Sequence, residues 1–156
     1  MSSILTGVGV AVLIGTMGNA QVAPDAPEKK YDIDTCVNVF DRSRAEPTAV
    51  GYQYWFVGRE FVDGRTLKLS VVAPHSATHA PHSHAEDEFF FVLEGTAEFF
   101  LDGRTRQGGP YTSFYCPSHV KHGIRNVGDT ELKYLVIKKY QGPVPTPAPA
   151  VLPPAK

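Results

Sequence analysis

Short β-branched and aromatic runs fill the middle of this chain: VGYQYWFVGREF (50–61), TLKLSVVAP (66–74), EFFFVLEG (88–95), TAEFFLDG (96–103), YTSFYCP (111–117) and ELKYLVIKKY (131–140). Each is bounded by Gly, Pro, Asp or Asn, and no window sustains a 3.6-residue repeat, so the chain reads as all-β. Gly paired with Asp or Glu at 62–66, 93–96, 101–105 and 127–131 supplies the turn chemistry of hairpins in a sandwich or barrel. No internal repeat marks a duplicated domain.

The ends differ in composition from this middle. Residues 1–20 carry no charged side chain and hold an apolar run from Ile4 to Met17, followed by small residues at Gly18 and Ala20. That pattern is expected to be a signal peptide cut after Ala20, too short and Gly-rich for a membrane span, which places the mature protein in the periplasm or outside the cell with no stable span left. Residues 21–30 are a loose lead-in. Residues 141–156 hold six of the thirteen prolines and lack the backbone donors a strand ladder needs, so they are expected to be a disordered tail. The folded domain is expected at 31–140, a size at which a single core can be buried.

Fifteen Lys and Arg face sixteen Asp and Glu with no basic stripe, which excludes the electrostatic footprint of a nucleic-acid binder. Cys36 and Cys116 are too few and too widely spaced to form a stapling framework; both are expected to be buried thiols, with pairing left open.

The stretch HAPHSHAEDEFFFVLEG (79–95) carries the chemistry. In extended chain His82 and His84 point to one face, and Glu88, Phe90 and Val92 share a face of the next run. A third imidazole would complete an ion site, and PSHVKHGIRN (117–126) offers His119 and His122, with Ile124 and Asn126 in phase with His122. Arg125 falls out of phase, on the outer face. His75, His79, Tyr52, Tyr54 and Tyr134 are further candidates for proton transfer, each with an ordinary structural alternative as a wall or surface residue.

The spacing His82-x-His84, three residues, Glu88, six residues, Gly95 resembles the first motif of the cupin superfamily. Pro117, four residues, His122, three residues, Asn126 is similar to most of the second. The resemblance spans residues 65–127. It implies a double-stranded β-helix, a jelly-roll barrel, with His82, His84, Glu88 and His122 as ligands to one divalent transition metal: Fe, Mn, Ni, Cu, Co or Zn. The chain departs from the family at His119, where the second motif commonly has Gly; His119 is expected in a solvent-facing turn. Three imidazoles and a carboxylate leave coordination positions free for a small-molecule substrate or ligand. An enzyme acting on a small oxygenated organic compound is favoured. An apolar inner wall of Phe90, Val92 and Ile124 inclines that reading toward a dioxygenase, with a Lewis-acid isomerase or lyase on a sugar-like substrate, or a non-catalytic binding cupin, as alternatives. Phe89, Phe91 and Leu93 make the opposite face of their strand equally apolar, and resemblance to cupins implies a homodimer through such a face.

Overall fold

The computed structural model describes residues 31–142. The expected signal peptide at 1–20 and all but the start of the Pro-rich tail lie outside the described residues. Every described strand belongs to one compact unit that begins at Ile33.

A four-residue helix, α1 (Ile33–Cys36), and a 3-10 turn at Arg42–Arg44 precede the strands β1 (Glu46–Thr48), β2 (Gly51–Val62), β3 (Arg65–Val72), β4 (Glu88–Glu94), β5 (Ala97–Leu101), β6 (Arg104–Gly108), β7 (Ser113–Cys116), β8 (His122–Asn126) and β9 (Leu132–Lys139). They form two antiparallel sheets, one ordered β1-β2-β3-β9-β4-β7 and one ordered β6-β5-β8. The all-β jelly roll expected from the sequence is the observed architecture.

Only two of the four expected hairpins are hairpins. Asp63-Gly64 joins β2 to β3 and Asp102-Gly103 joins β5 to β6, with both residues of each pair at positive φ (40° and 74°; 46° and 83°). That is the backbone a two-residue type I′ turn needs, which Asp-Gly supplies at low steric cost. The turns at 93–96 and 127–131 instead carry the chain from one sheet to the other. Gly95 sits at φ 85°, where a Cβ would lie 2.5 Å from Glu131 O and 2.9 Å from Leu132 Cα, so this crossing admits only glycine.

The inner faces of both sheets meet in one apolar cluster that includes Val72 (β3), Phe90 and Val92 (β4), Phe99 (β5), Ile124 (β8) and Leu132 (β9). Burying each of these large side chains contributes about 1.5–3 kcal/mol. A second cluster lies on the outer face of the larger sheet, where Tyr54, Leu69 and Val71 pack beneath Ala45. Phe40 meets the Tyr54 ring edge-on at 5.0 Å, and the Tyr54 hydroxyl donates to Val39 O at 3.0 Å. Residues 39–45 thus cover the outer face of β2 and β3. Further along the same sheet, Phe89, Tyr115 and Ile137 lie side by side on β4, β7 and β9 and each remains nearly half exposed.

Candidate metal centre

The two halves of the site are joined by backbone before any side chain meets. His82 and His122 form an antiparallel bridge, with His82 N donating to His122 O at 2.9 Å and His122 N to His82 O at 2.8 Å. His119 N donates to His84 O at 2.7 Å. Bridge partners project side chains to the same side, so both imidazoles turn toward the barrel interior. Glu88, the first residue of β4, pairs with Cys116 on β7 and with Lys138 on β9, and all three side chains therefore face inward from adjacent strands.

His82, His84 and His122 each offer a ring nitrogen, and the three nitrogens lie within 4.8 Å of one another. Glu88 Oε1 is 3.1 Å from His122 Nε2 and 3.5 Å from His84 Nε2. His84 Nδ1 donates to Glu86 O at 2.7 Å and His122 Nδ1 to Val120 O at 2.8 Å. A carbonyl only accepts, so these bonds put the proton on Nδ1 and leave a lone pair on Nε2 of each neutral ring. With both rings in that form, two lone pairs face one carboxylate oxygen across buried space. Contacts between acceptors are unfavourable unless a cation or proton lies among them. His82 Nδ1 is buried without a hydrogen-bond partner. Burial, then the neighbouring His79, His122 and His84, lower the His82 pKa and favour its neutral, metal-binding form. The donor set fits one divalent transition metal, which His82, His84, Glu88 and His122 can hold.

The remaining candidates are placed differently. His119 is exposed with φ 63°, the left-handed backbone that glycine adopts freely, which accounts for the glycine common at this position in the motif. His75 is on the surface, its Nε2 2.8 Å from Asp129 Oδ1. His79 meets the His82 ring edge-on at 4.4 Å. Tyr54 belongs to the outer cluster, whereas Tyr134 lines the cavity, its hydroxyl pKa raised chiefly by burial. Arg125 lies on the outer face as expected, paired with Glu98 at 2.7 Å. Asn126 is structural: its Nδ2 donates to Val72 O, Ala73 O and Thr130 O, and its Oδ1 accepts from Gly128 N.

The two cysteines do not pair, and the expectation that both are buried fails at Cys36. That residue is exposed on α1, which buries no residue. Cys116 is buried beside Glu88 and His122, and burial pushes its thiol up to about 12, so it stands there as the neutral thiol.

A cavity of ≈ 250 Å³ opens onto the cluster. Its walls differ from the apolar lining expected. Phe90 reaches it, but Val92 and Ile124 belong to the core cluster, and the wall facing the imidazoles is built from Gln53, Lys68, Ser70, Tyr134 and Lys138. Lys138 Nζ lies 3.0 Å from His84 Nε2 and 3.8 Å from both Glu86 Oε2 and Glu88 Oε2. Neither lysine stands out in the sequence, because charged residues alternating with Leu, Val and Ile ordinarily mark the solvent face of a strand.

A profile of the cupin domain (Cupin_2) matches residues 68–138, which contain all four candidate ligands. The polyketide synthase CurC of Streptomyces cyaneus is 30% identical over 116 residues, covering 70% of this chain and 69% of that protein. The chain belongs to the cupin superfamily. Among solved structures, this cupin is similar in fold to a Cupin 2 conserved barrel domain protein from Salinispora arenicola: 21% identity, 67% of this chain, 87% of that chain and TM-score 0.56. It is likewise similar to the polyketide cyclase RemF from Streptomyces resistomycificus: 22% identity, 66% of this chain, 79% of that chain and TM-score 0.55.

Proposed function

We propose that this cupin is a metal-dependent enzyme acting on a small oxygenated organic substrate, with His82, His84, Glu88 and His122 holding one divalent transition metal. The observation that carries the reading is the set of facing acceptors: Nε2 of His84 and of His122 both turned on Glu88 Oε1, at the end of a solvent-connected cavity. When bound, the ion supplies Lewis acidity toward substrate oxygens, and a redox-active ion adds oxygen chemistry. The protein's own contribution is orientation. Backbone carbonyls of Glu86 and Val120 fix two of the rings, and Phe90 and Val136 exclude water from one wall. The buried Tyr134 hydroxyl, held in its protonated form, is placed to donate a hydrogen bond to a bound oxygen.

An apolar wall would favour a dioxygenase, and the observed wall is largely polar. Lewis-acid chemistry on a carbonyl-rich compound therefore takes precedence, in keeping with a polyketide synthase and a polyketide cyclase among the similar proteins. Turnover of a panel of dicarbonyl and hydroxycarbonyl compounds is expected to persist under nitrogen and with zinc as the added ion. Turnover that stops without O2 would restore the oxygenase assignment. Stoichiometric metal and ligand binding without turnover, whatever the ion, would reduce the protein to a binding module.

Export belongs to the same proposal. The uncharged apolar run that ends at Gly18 and Ala20 supports it, and N-terminal sequencing of protein made with its native export machinery is expected to begin at Gln21. Recovery of Met1 would count against it.

A further inference from the structure

The cavity gathers two lysines beside the imidazole cluster. Lys68 lies on β3 and Lys138 on β9, neighbouring strands of the larger sheet, and both line the cavity with His82 and His84. Lys68 is half-buried. Among the described residues its ammonium donates to Gln53 Oε1 at 3.2 Å, lies 5.1 Å from the centre of the Trp55 ring and makes no ion pair. Burial lowers its pKa, against the attraction of the Glu88 carboxylate. Lys138 is more deeply buried and lies near Glu86 and Glu88.

Charge bookkeeping at the site then has a definite sign. Two ammonium groups balance the two carboxylates of Glu86 and Glu88 while the cluster holds no ion. A divalent ion held by the four ligands leaves the same cavity with two positive charges in excess. It also takes the His84 Nε2 lone pair that Lys138 Nζ now contacts at 3.0 Å, so the ammonium loses that acceptor. A buried cation without a paired anion is costly, and an anionic ligand would remove that cost at Lys68 and replace the acceptor lost at Lys138.

We propose that the substrate is an organic anion, a small hydroxy- or keto-carboxylate whose carboxylate is held by Lys68 and Lys138. The proposal rests on the metal-dependent reading above and adds the charge of the substrate to it. Lys68 and Lys138 are specificity residues: they select an anion, and the imidazole cluster selects a compound with further oxygens beside it.

Calorimetric titration of zinc-loaded protein with L-malate, L-lactate and L-lactamide tests this, because the three probes carry two, one and no negative charges. Lactate is expected to bind about tenfold or more tighter than lactamide, and malate tighter still. Lys68→Met is expected to weaken malate about tenfold while zinc stoichiometry and melting temperature hold, and Lys68→Arg to retain most of the affinity. Lys138→Met, which also removes the donor on His84 Nε2, is expected to keep zinc and lose malate to a similar degree. Full zinc uptake with lactamide binding as well as lactate, or a malate affinity indifferent to both methionine variants, overturns the proposal and leaves the metal reading standing. Failure of the wild-type protein to take up zinc or any other divalent transition metal overturns that reading, and the proposal with it.

Discussion

His122→Ala is expected to abolish stoichiometric metal binding and to lower the stability of the fold by about 2–4 kcal/mol, the range for removing a large buried side chain and stranding its polar partners. His122 is fully buried, and its removal leaves a void and strands Val120 O. In the wild type an ion bound only by the folded state adds stability in proportion to the logarithm of its concentration over Kd, so chelation should lower the melting temperature by several degrees. The chelator effect should vanish in His122→Ala. His119→Ala, altering an exposed turn residue whose contribution to the site is its backbone N–H, should keep both metal and chelator response. Metal analysis and scanning calorimetry with and without chelator read all three. Metal retained at full stoichiometry by His122→Ala, or lost equally by His119→Ala, would mean that the wrong imidazole of the second motif has been assigned.

Asn126→Asp is expected to destabilise the protein by about 3 kcal/mol or more at neutral pH, although the change exchanges one nitrogen for an oxygen. Nδ2 donates to Val72 O and Ala73 O at 3.0 Å and to Thr130 O at 2.7 Å, in a side chain that is almost wholly buried. An ionised aspartate would face these carbonyls with an acceptor and a charge. Its carboxyl pKa in the folded state must then rise above the unfolded value of about 3.9, because only the protonated form can donate there. The folded variant therefore binds more protons than the unfolded chain over that interval. Its deficit relative to wild type should be greatest above the raised folded pKa and narrow as the pH falls toward the unfolded one. Urea unfolding of both proteins at several pH values checks the sign and the size. A deficit below about 1 kcal/mol at pH 7, or one that widens on acidification relative to wild type, would show that Asn126 is not the clasp its hydrogen bonds describe.

Much of this protein is written in short-range signals. Asp63-Gly64 and Asp102-Gly103 carry their turn chemistry in two adjacent residues, and the fold uses both as hairpins. His82, His84 and Glu88 are spaced so that extended chain delivers them together, and His122 joins them through a backbone bridge. The all-β class, the apolar strands and the convergence of His82, His84 and Glu88 follow from such local periodicity, while the jelly-roll barrel and the fourth ligand were implied by the resemblance to cupins. The family spacing also separates His122 from His119, and the left-handed backbone at 119 supplies the reason.

Tertiary structure alone decided which sheet each strand joins and which face of a strand looks inward. The turns at 93–96 and 127–131 resemble hairpin turns in composition but cross between sheets, because β4 pairs with β9 and β7 and β5 with β6 and β8, so neither β4 and β5 nor β8 and β9 are neighbours. Alternation on β3 separates Leu69 and Val71 from Lys68 and Ser70 without saying which pair is inside. The apolar pair faces outward, since residues 39–45 cover it there, and the polar pair is left to line the cavity. A two-residue period defines two faces of a strand; which one is buried depends on what distant chain arrives to cover it, and at Lys68 and Lys138 that long-range packing set the chemistry of the site.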